Sequence, residues 1–194
     1  MKIREASATD AQIIADIHTI SWRNNYQNAL TAQYLSNVAP IERTEVWRNR
    51  LESPQANQYV AVAERAGEVI GFVCAYVGEN SKWGSYLDNL HIRKDYQSMG
   101  IGKALLINAA KWCHQREPNK GMCLLVNQDN VKAQAFYNSL GARNAENGVW
   151  NAPDGSAVPT YWFVWDKIGP LTENSSTVDA NAFQPLTDRA ARNR

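Results

Sequence analysis

The sequence predicts a mixed α/β fold, in which one sheet carries helices on both of its faces. Three observations lead to this prediction. Strand-like and helix-like segments alternate along the second half of the chain. Met122–Val126 is a short, continuous apolar run, which is typical of a strand buried on both faces. Leu87–Ile92, which also predicts a buried strand, is followed by a glycine-containing turn and then a helix.

The first half of the chain predicts one strand, two helices and a hairpin. The first helix follows a capping sequence, Ser7–Asp10, and carries isoleucines at the spacing of one helix face. The hairpin turns at Gly67, between two strand-like segments. In chain order the predicted elements are strand Lys2–Glu5, a helix to about Trp22, a helical turn at Thr31–Leu35, a helix at Ile41–Leu51, and strands Gln58–Glu64 and Val69–Val77.

The second half alternates strands with helices and closes with a pair of strands. From Gly169 the composition changes to Thr, Asn, Ser, Ala, Asp and Arg, so we expect one domain over residues 1–168 and a mostly disordered tail over 169–194. The predicted elements are strand Leu87–Ile92, helix Gly102–Arg116, strand Met122–Val126, helix Val131–Leu140, and strands Asn144–Val149 and Thr160–Trp165.

Composition narrows the classes of partner. The formal net charge of +1 gives no broad basic surface, so we expect no nucleic-acid partner. The N-terminus lacks the apolar core of a signal peptide, and no apolar stretch approaches the roughly 20 residues that cross a membrane. The three cysteines have no metal-type spacing. Reduced thiols in a cytoplasmic protein without a metal are the expectation.

The stretch that follows Ile92 predicts an anion-binding site. It passes through Gly100 and Gly102 into a helix whose first turn contains Lys103. The N–H groups of a first helical turn have no partner inside the helix, and the helix dipole favours negative charge there. The glycines let the backbone approach a bulky phosphate without interference from a Cβ atom. A bound anion would also explain a lysine in this turn, where its charge otherwise opposes the dipole.

Three segments together resemble the GNAT superfamily of acyl-CoA-dependent N-acyltransferases. Leu90-His91-Ile92 followed by Gln97-Ser98-Met99-Gly100-Ile101-Gly102 matches the strand and the Q/R-x-x-G-x-G/A pyrophosphate loop of that family, and Asn130-Val131-Lys132-Ala133-Gln134-Ala135-Phe136-Tyr137 with Leu140-Gly141-Ala142 resembles its next helix. The N-terminal IREASATDAQIIADIH resembles its opening strand and helix. The resemblance covers about Ile3–Trp165. It implies a mostly antiparallel sheet of about six to seven strands, with two central parallel strands that splay apart.

The resemblance implies binding of acetyl-CoA as cosubstrate. Backbone groups of Leu90 and Ile92 would pair with the pantetheine arm, which would add to the sheet like a partial strand. Asn130 would reach the pantetheine amides. The pyrophosphate would be held by backbone N–H groups of Gln97, Ser98, Met99, Gly100, Ile101, Gly102 and Lys103.

Tyr137 and Asp88 are the candidate catalytic residues. The resemblance implies that Tyr137 lies near the thioester sulfur, where a phenol of pKa near 10 is a suitable acid for a thiolate leaving group. Helical periodicity by itself favours a packing role for the ring beside Phe136. Asp88 is the candidate base, directly or through water, since several members of the family have a carboxylate there; others have a glutamate two residues earlier, where this chain has Tyr86. The alternative for Asp88, equally open, is a structural hydrogen bond at a strand bulge.

Two further groups and a set of aromatic side chains complete the predicted site. His91 titrates near physiological pH, but its apolar neighbours favour a structural role. The N–H of Ile92 is a plausible donor to the thioester oxyanion. The aromatic residues that the resemblance assigns to the acceptor pocket, each of which also fits ordinary packing, are Trp22, Tyr26, Trp47 and Trp83.

The function that these patterns predict is transfer of an acetyl group to a primary amine of a small molecule or amino-acid-like acceptor. A non-catalytic acyl-CoA-binding module and a protein N-terminal or lysine acetyltransferase are the alternatives. A nucleotide-binding protein is disfavoured, because neither a G-x-x-x-x-G-K-[ST] nor a G-x-G-x-x-G pattern occurs. Members of the family are often dimers, so a homodimer is a possible assembly, with the apolar closing strands around Tyr161–Trp165 as the candidate surface.

Overall fold

The structure is a computed structural model that describes residues 1–173. One seven-stranded sheet dominates it, and every pair of neighbouring strands is antiparallel except the fourth and fifth, which are parallel. The strands are β1 (Lys2–Glu5), β2 (Gln58–Arg65), β3 (Glu68–Asn80), β4 (Gly84–Ile92), β5 (Gly121–Asn127), β6 (Arg143–Asn151) and β7 (Ala157–Trp165), in the sheet order β1-β2-β3-β4-β5-β7-β6. The predicted fold class, a mixed and mostly antiparallel sheet, is confirmed.

Helices cover both faces of this sheet, as the sequence predicted. The helices α1 and α2 pack together on one face, and the helix α3 packs on the other. The helices are α1 (Ala11–Asn25), α2 (Ala39–Glu52), α3 (Ile101–Arg116), α4 (Val131–Ser139) and α5 (Gly169–Glu173), with 3-10 turns at Ala8–Asp10 and Lys94–Tyr96 and a π-helical turn at Tyr34–Val38.

The interior strand β2 shows why a core forms on each face of the sheet. Successive side chains of a strand point to opposite faces. Ala61 and Ala63 therefore contact the α3 side, whereas Val60 and Val62 contact the α1 side, and all four are buried. Burial of apolar side chains on both faces, at about 25 cal/mol per Å² of apolar surface, is the main favourable contribution to stability. The resulting rigid sheet fixes the positions of the strands beside it.

The strands β4 and β5 separate after a short paired segment. Within residues 1–173 their parallel pairing consists of Gly84 with Gly121, Ser85 with Met122 and Tyr86 with Cys123. Beyond these pairs, β4 stays with β3 and β5 stays with β7, so a wedge opens between their carboxyl ends. A Cβ atom on Gly121 would lie 2.9 Å from the carbonyl oxygen of Trp83, just before β4, and 2.3 Å from that of Trp165 in β7, so the start of β5 between these strands requires glycine. The splayed central strands of the prediction are confirmed.

A β-bulge in β4 turns the strand at Asp88. Asn89 lies opposite Cys74 and Leu87 lies opposite Ala75, so Asp88 has no partner residue in β3. Bulges increase the local twist of a strand and re-aim the extra side chain. The predicted bulge at this carboxylate is therefore present, and it lies at the point where β4 turns away from β5.

One prediction about the C-terminal part needs correction. The predicted tail begins too early, because Gly169–Glu173 forms α5 and buries Leu171 against α3; residues 174–194 lie outside the described part of the chain. The closing strands around Tyr161–Trp165 are β6 and β7, of which β7 pairs with β5 and β6 forms the edge of the sheet. Their use as a dimer surface stays a prediction.

Candidate active site

A cavity of about 660 Å³ occupies the wedge between β4 and β5. We call one side of it the loop end, formed by residues 97–103 with Asn130 and Lys132, and the other the aromatic end, formed by Trp22, Tyr26, Arg43 and Trp150. Residues 86–92 of β4 and Tyr137 of α4 line the cavity as well. The structure thus brings together all predicted site residues except Met99, whose side chain is exposed and does not line the cavity.

The loop end is built from backbone groups at the start of α3. Gly100 is the N-cap residue in a left-handed conformation with φ of 77°, and Ser98 is also left-handed with φ of 64°. Gly100 has no side chain that could accept the first-turn N–H groups of α3, so these donors remain for a ligand. Lys103 and Lys132 add positive charge to the same part of the cavity. This arrangement suits a di-anionic group such as a pyrophosphate.

The carboxyl-terminal part of β4 presents backbone groups to the cavity. The Arg93 N–H donates to the Ile70 carbonyl at 2.9 Å, across the antiparallel ladder with β3. Because residues alternate in such a ladder, His91 faces β3, and the N–H and C=O groups of Leu90 and Ile92 point to the side that β5 has left. Gln97 Nε2 donates to the Ile92 carbonyl at 3.3 Å. An extended ligand can therefore pair with this edge as a strand would.

Asn130 and Tyr137 bring α4 to the cavity. Asn130 is the N-cap of α4, and its Oδ1 accepts the Ala133 N–H at 3.0 Å, so only its amide NH₂ is left to donate to a ligand carbonyl. Tyr137 is buried, and its ring packs against Phe136 and Trp165. Burial raises the pKa of Tyr137 above its usual value. The phenol is accordingly a protonated donor throughout the neutral range.

Asp88 has a structural partner and also lines the cavity. Arg50 Nη1 donates to Asp88 Oδ2 at 2.7 Å and to Asn89 Oδ1 at 3.0 Å. The Arg50 guanidinium lies over the Trp47 ring, 5.0 Å from its centroid. The ion pair is what the structural interpretation of Asp88 requires, and the position in the cavity is what the base interpretation requires. Both interpretations therefore remain, and Arg50 is a residue that the sequence did not indicate.

Two stacked histidines lie between β4 and α1. The rings of His18 and His91 are 4.7 Å apart, and the Nδ1 atom of His91 lies 2.8 Å from Ser21 Oγ. Burial lowers the pKa of His91 to about 4, and burial together with the neighbouring His91 lowers that of His18 well below 6.5. Both imidazoles are therefore neutral near pH 7, which agrees with the structural role predicted for His91.

The aromatic end is a cluster of rings from separate elements. Trp22 of α1, Tyr26 directly after α1 and Trp150 of β6 contact one another at centroid distances of 5.6 to 6.0 Å. Asp154, in the turn between β6 and β7, accepts the Thr31 N–H at 2.8 Å and so ties this turn to the segment that follows α1. Pro153 of the same turn lines the cavity together with Trp150.

The structure corrects two of the four predicted acceptor-side aromatics. Trp22 and Tyr26 line the cavity, but Trp47 is fully buried in the core beside Phe72, where its Nε1 donates to His18 Nδ1 at 3.0 Å. Trp83 packs on Trp162 and does not line the cavity. Sequence reasoning missed Trp150, because β6 shows no strong alternation and only the tertiary fold brings it to α1.

The cysteines are internal thiols. Cys74, Cys113 and Cys123 are all buried and unpaired. Burial raises the pKa of Cys74 to about 12 and that of Cys113 to about 11, which makes both poor nucleophiles. Among residues 1–173, no helix is both long and apolar enough to pass through a membrane, and no group of His, Cys, Asp or Glu side chains is arranged to hold a metal ion.

Comparison with known proteins identifies the class to which this fold and cavity belong. The family model described as acetyltransferase (GNAT) family matches residues 15–142, about two thirds of the chain, so the chain belongs to the GNAT acetyltransferase family. The protein is an acyltransferase enzyme.

Particular relatives agree with this assignment. The uncharacterized N-acetyltransferase YuaI of Bacillus subtilis (strain 168) is 29% identical over 173 residues, which cover 81% of this chain and 96% of YuaI. The PaiA N-acetyltransferase of Thermoplasma acidophilum, solved in complex with coenzyme A, superposes with a TM-score of 0.64 at 20% identity over 82% of this chain and 96% of PaiA. YncA of Salmonella typhimurium, solved with its cofactor acetyl-CoA, gives 0.61 at 17% identity over 86% and 93%. At these identities the two structures establish the shared fold.

Proposed function

We propose that the protein transfers an acetyl group from acetyl-CoA directly to the primary amine of a small molecule or amino-acid-like acceptor. The observation that carries the proposal is the single cavity in which an anion cradle, a free strand edge and an aromatic pocket meet beside Tyr137. The bound coenzyme A in the PaiA structure and the acetyl-CoA in the YncA structure support acetyl-CoA as cosubstrate.

The loop end would hold the pyrophosphate of acetyl-CoA. The first-turn N–H groups of α3 and the left-handed residues Ser98 and Gly100 supply converging donors there, with Lys103 beside them. The pantetheine arm would run along β4 and pair with Leu90 and Ile92, because their backbone groups point into the wedge. The Asn130 amide would donate to a pantetheine carbonyl. Each contact uses groups that the fold leaves without a strand partner.

The reaction would proceed by direct attack of the neutral amine on the thioester carbonyl. A C–N bond forms, the C–S bond breaks, the nitrogen loses one proton and the coenzyme A thiolate gains one. The Ile92 N–H would donate to the carbonyl oxygen as negative charge develops on it. Tyr137 would donate its hydroxyl proton to the thiolate as the C–S bond breaks, and its raised pKa keeps the phenol protonated at neutral pH until then. Asp88, through a water molecule, would accept the proton of the amine.

A small acceptor fits the aromatic end better than a folded protein or an extended peptide. The hydrogen bond between Asp154 and Thr31 holds the β6–β7 turn against the segment that follows α1. Pro153 from the same turn lines the cavity directly. A turn fixed in this way would restrict the space for a polypeptide more than the space for a free amino acid or another small amine.

The test is a panel of acceptors assayed by release of free thiol from acetyl-CoA. The panel contains small amines, free amino acids, and peptides with a free N-terminus or a lysine. We expect acceptor-dependent thiol release with small amines, and direct binding of coenzyme A by calorimetry. Binding of coenzyme A without turnover on any amine would favour the non-catalytic module, and turnover confined to peptides would favour a protein acetyltransferase.

A further inference from the structure

Two buried hydrogen-bond donors at the aromatic end lack a partner within residues 1–173. The first is His18, which is 1% exposed and lines the cavity. An indole N–H only donates, so the Nδ1 atom of His18 must be the acceptor of the bond from Trp47. The neutral imidazole therefore carries its proton on Nε2, on the opposite edge of the ring. That Nε2–H group is buried and has no partner among the described residues.

The second donor belongs to Arg43, which is 8% exposed and lines the same cavity. Its Nη2 atom donates to Glu42 Oε1 at 2.5 Å, and its guanidinium lies over the Trp22 ring, 4.7 Å from the centroid. The Nε–H group is buried without a partner within residues 1–173. Buried donors of this kind are almost always hydrogen-bonded in a functioning protein, to protein, to water or to a ligand.

These donors belong to one neighbourhood, since both residues contact Trp22. The His18 ring meets Trp22 edge-on at 4.6 Å, and the positive charge of Arg43 is close enough to act on the His18 imidazole. No acceptor from the described chain faces them, and a ligand that satisfies both must supply acceptor atoms. A carboxylate has two oxygens with several lone pairs, and it prefers a guanidinium partner over any other.

The two arginines that line the cavity near the aromatic end differ in where their paired carboxylates lie. Arg50 is neutralised by Asp88, the single carboxylate among the cavity-lining residues that the structure describes. Glu42, which pairs with Arg43, lies outside the cavity lining and also accepts a hydrogen bond from the Tyr34 hydroxyl. The guanidinium of Arg43 therefore lies at the cavity surface, whereas the carboxylate that pairs with it does not.

Resting on the proposed function, we propose that the acceptor is an amino acid or a similar amine that carries a carboxylate. The carboxylate binds to Arg43 Nε–H and His18 Nε2–H, and the remainder of the acceptor packs on Trp22, Tyr26 and Trp150. Arg43 is then the residue that selects amine acceptors with a carboxylate over amine acceptors without one. The attacking nitrogen lies on the side of Asp88 and the thioester.

The test compares matched acceptors and matched variants. The acceptors are the twenty standard L-amino acids, and for each active one its carboxamide and its decarboxylated amine. The variants are Arg43→Gln, Arg43→Lys, which keeps the charge but lacks the Nε–H group, and Arg48→Gln as control, because Arg48 is an exposed arginine of the same helix. Coenzyme A affinity and the melting temperature of each variant show whether it folds. Acceptor binding to the coenzyme A complex is measured by calorimetry alongside turnover.

We expect wild-type protein to prefer an amino acid over its carboxamide by about 10- to 100-fold in kcat/KM, the range of a charge-assisted hydrogen bond. Arg43→Gln should bring this ratio close to one, Arg43→Lys should restore part of it, and Arg48→Gln should leave it unchanged. An amino acid and its carboxamide differ in amine basicity, and this difference affects the wild type and the variants equally. Comparing the kcat/KM ratio between variants therefore removes its contribution. Equal use of acid, carboxamide and amine by the wild type would overturn the inference and leave the proposed function intact. Absence of both turnover and carboxylate-dependent binding would overturn both.

Discussion

The two ends of the cavity are built in different ways. The loop end takes its donors from the backbone of one continuous segment, residues 97–103, and the first turn of α3. The aromatic end takes side chains from α1, α2 and β6, which only the folded sheet brings together. Backbone donors serve any ligand with the right charge and shape, whereas side chains can vary without disturbing the fold. If the proposed function holds, the cosubstrate would be bound by backbone groups and the acceptor by side chains from separate elements.

Substitution of Gly100 should have the largest effect on ligand binding at the loop end. Gly100→Asp should weaken coenzyme A binding at least about 100-fold, because a carboxylate beside the pyrophosphate adds like-charge repulsion. Gly67→Asp is the matched control: Gly67 has φ of 82°, Gly100 has φ of 77°, and at both positions a Cβ atom would meet open space. The backbone strain is therefore similar in the two variants. Calorimetric titration with coenzyme A gives both affinities, and equal affinities would show that the pyrophosphate is bound elsewhere.

Tyr137 lines the same cavity. Removal of its hydroxyl group should lower the rate of the chemical step without changing the affinity for acetyl-CoA. Tyr137→Phe keeps the ring that packs on Phe136 and Trp165 but removes the hydroxyl proton. We expect kcat to fall by about 100-fold or more, the usual contribution of a general acid, with acetyl-CoA affinity within about twofold of wild type. Single-turnover thiol release measures the chemical step directly. An unchanged rate would leave Tyr137 as a packing residue, as helical periodicity by itself suggested.

The difference between the loop end and the aromatic end explains which parts of the cavity could be predicted from the sequence. The loop end was predictable because glycines, strand ends and helix starts leave their marks within a few residues of one another. The bulge at Asp88 and the splay of β4 and β5 were also expected, from resemblance to the family. The α5 helix was missed because its few residues carry no periodic pattern, and only the pocket beside α3 that receives Leu171 stabilises it.

The aromatic end was predicted only in part, for a physical reason. Trp22, Tyr26, Trp47 and Trp83 look alike in the sequence, since a large aromatic residue suits both a core and a ligand pocket. The choice between the two depends on neighbours distant in the chain: Phe72 encloses Trp47, and Trp162 covers Trp83. Arg43 and Arg50 were not candidates, because a single arginine on a helix is ordinarily a solvated surface residue.

Asp88 and its partner allow the base and the structural interpretations to be separated. If Asp88 is the base, Asp88→Asn should lower kcat by roughly 10- to 100-fold, since a water-mediated base contributes less than a direct one. Arg50→Gln leaves the carboxylate in place and should lower kcat only a few-fold. If the ion pair is purely structural, both variants should lose the same amount of stability and activity. Paired kcat values and melting temperatures decide between these outcomes.

The smallest expected effect lies outside the cavity, where Asp10 fixes the start of α1. Arg4 donates two hydrogen bonds of 2.8 Å to its carboxylate and, with Ser7, lowers the pKa of Asp10 from 3.8 to about 2. A lowered pKa in the folded state means that the stabilisation is complete above pH 3.8 and is lost as the pH falls toward 2. Asp10→Asn should therefore lower the free energy of unfolding by about 1–2 kcal/mol at pH 7 and by progressively less below pH 4. Urea unfolding at several pH values measures this difference. Because α1 contributes to the aromatic end and not to the loop end, coenzyme A affinity should not change, and a parallel loss of that affinity would mean that the two ends fold as one unit.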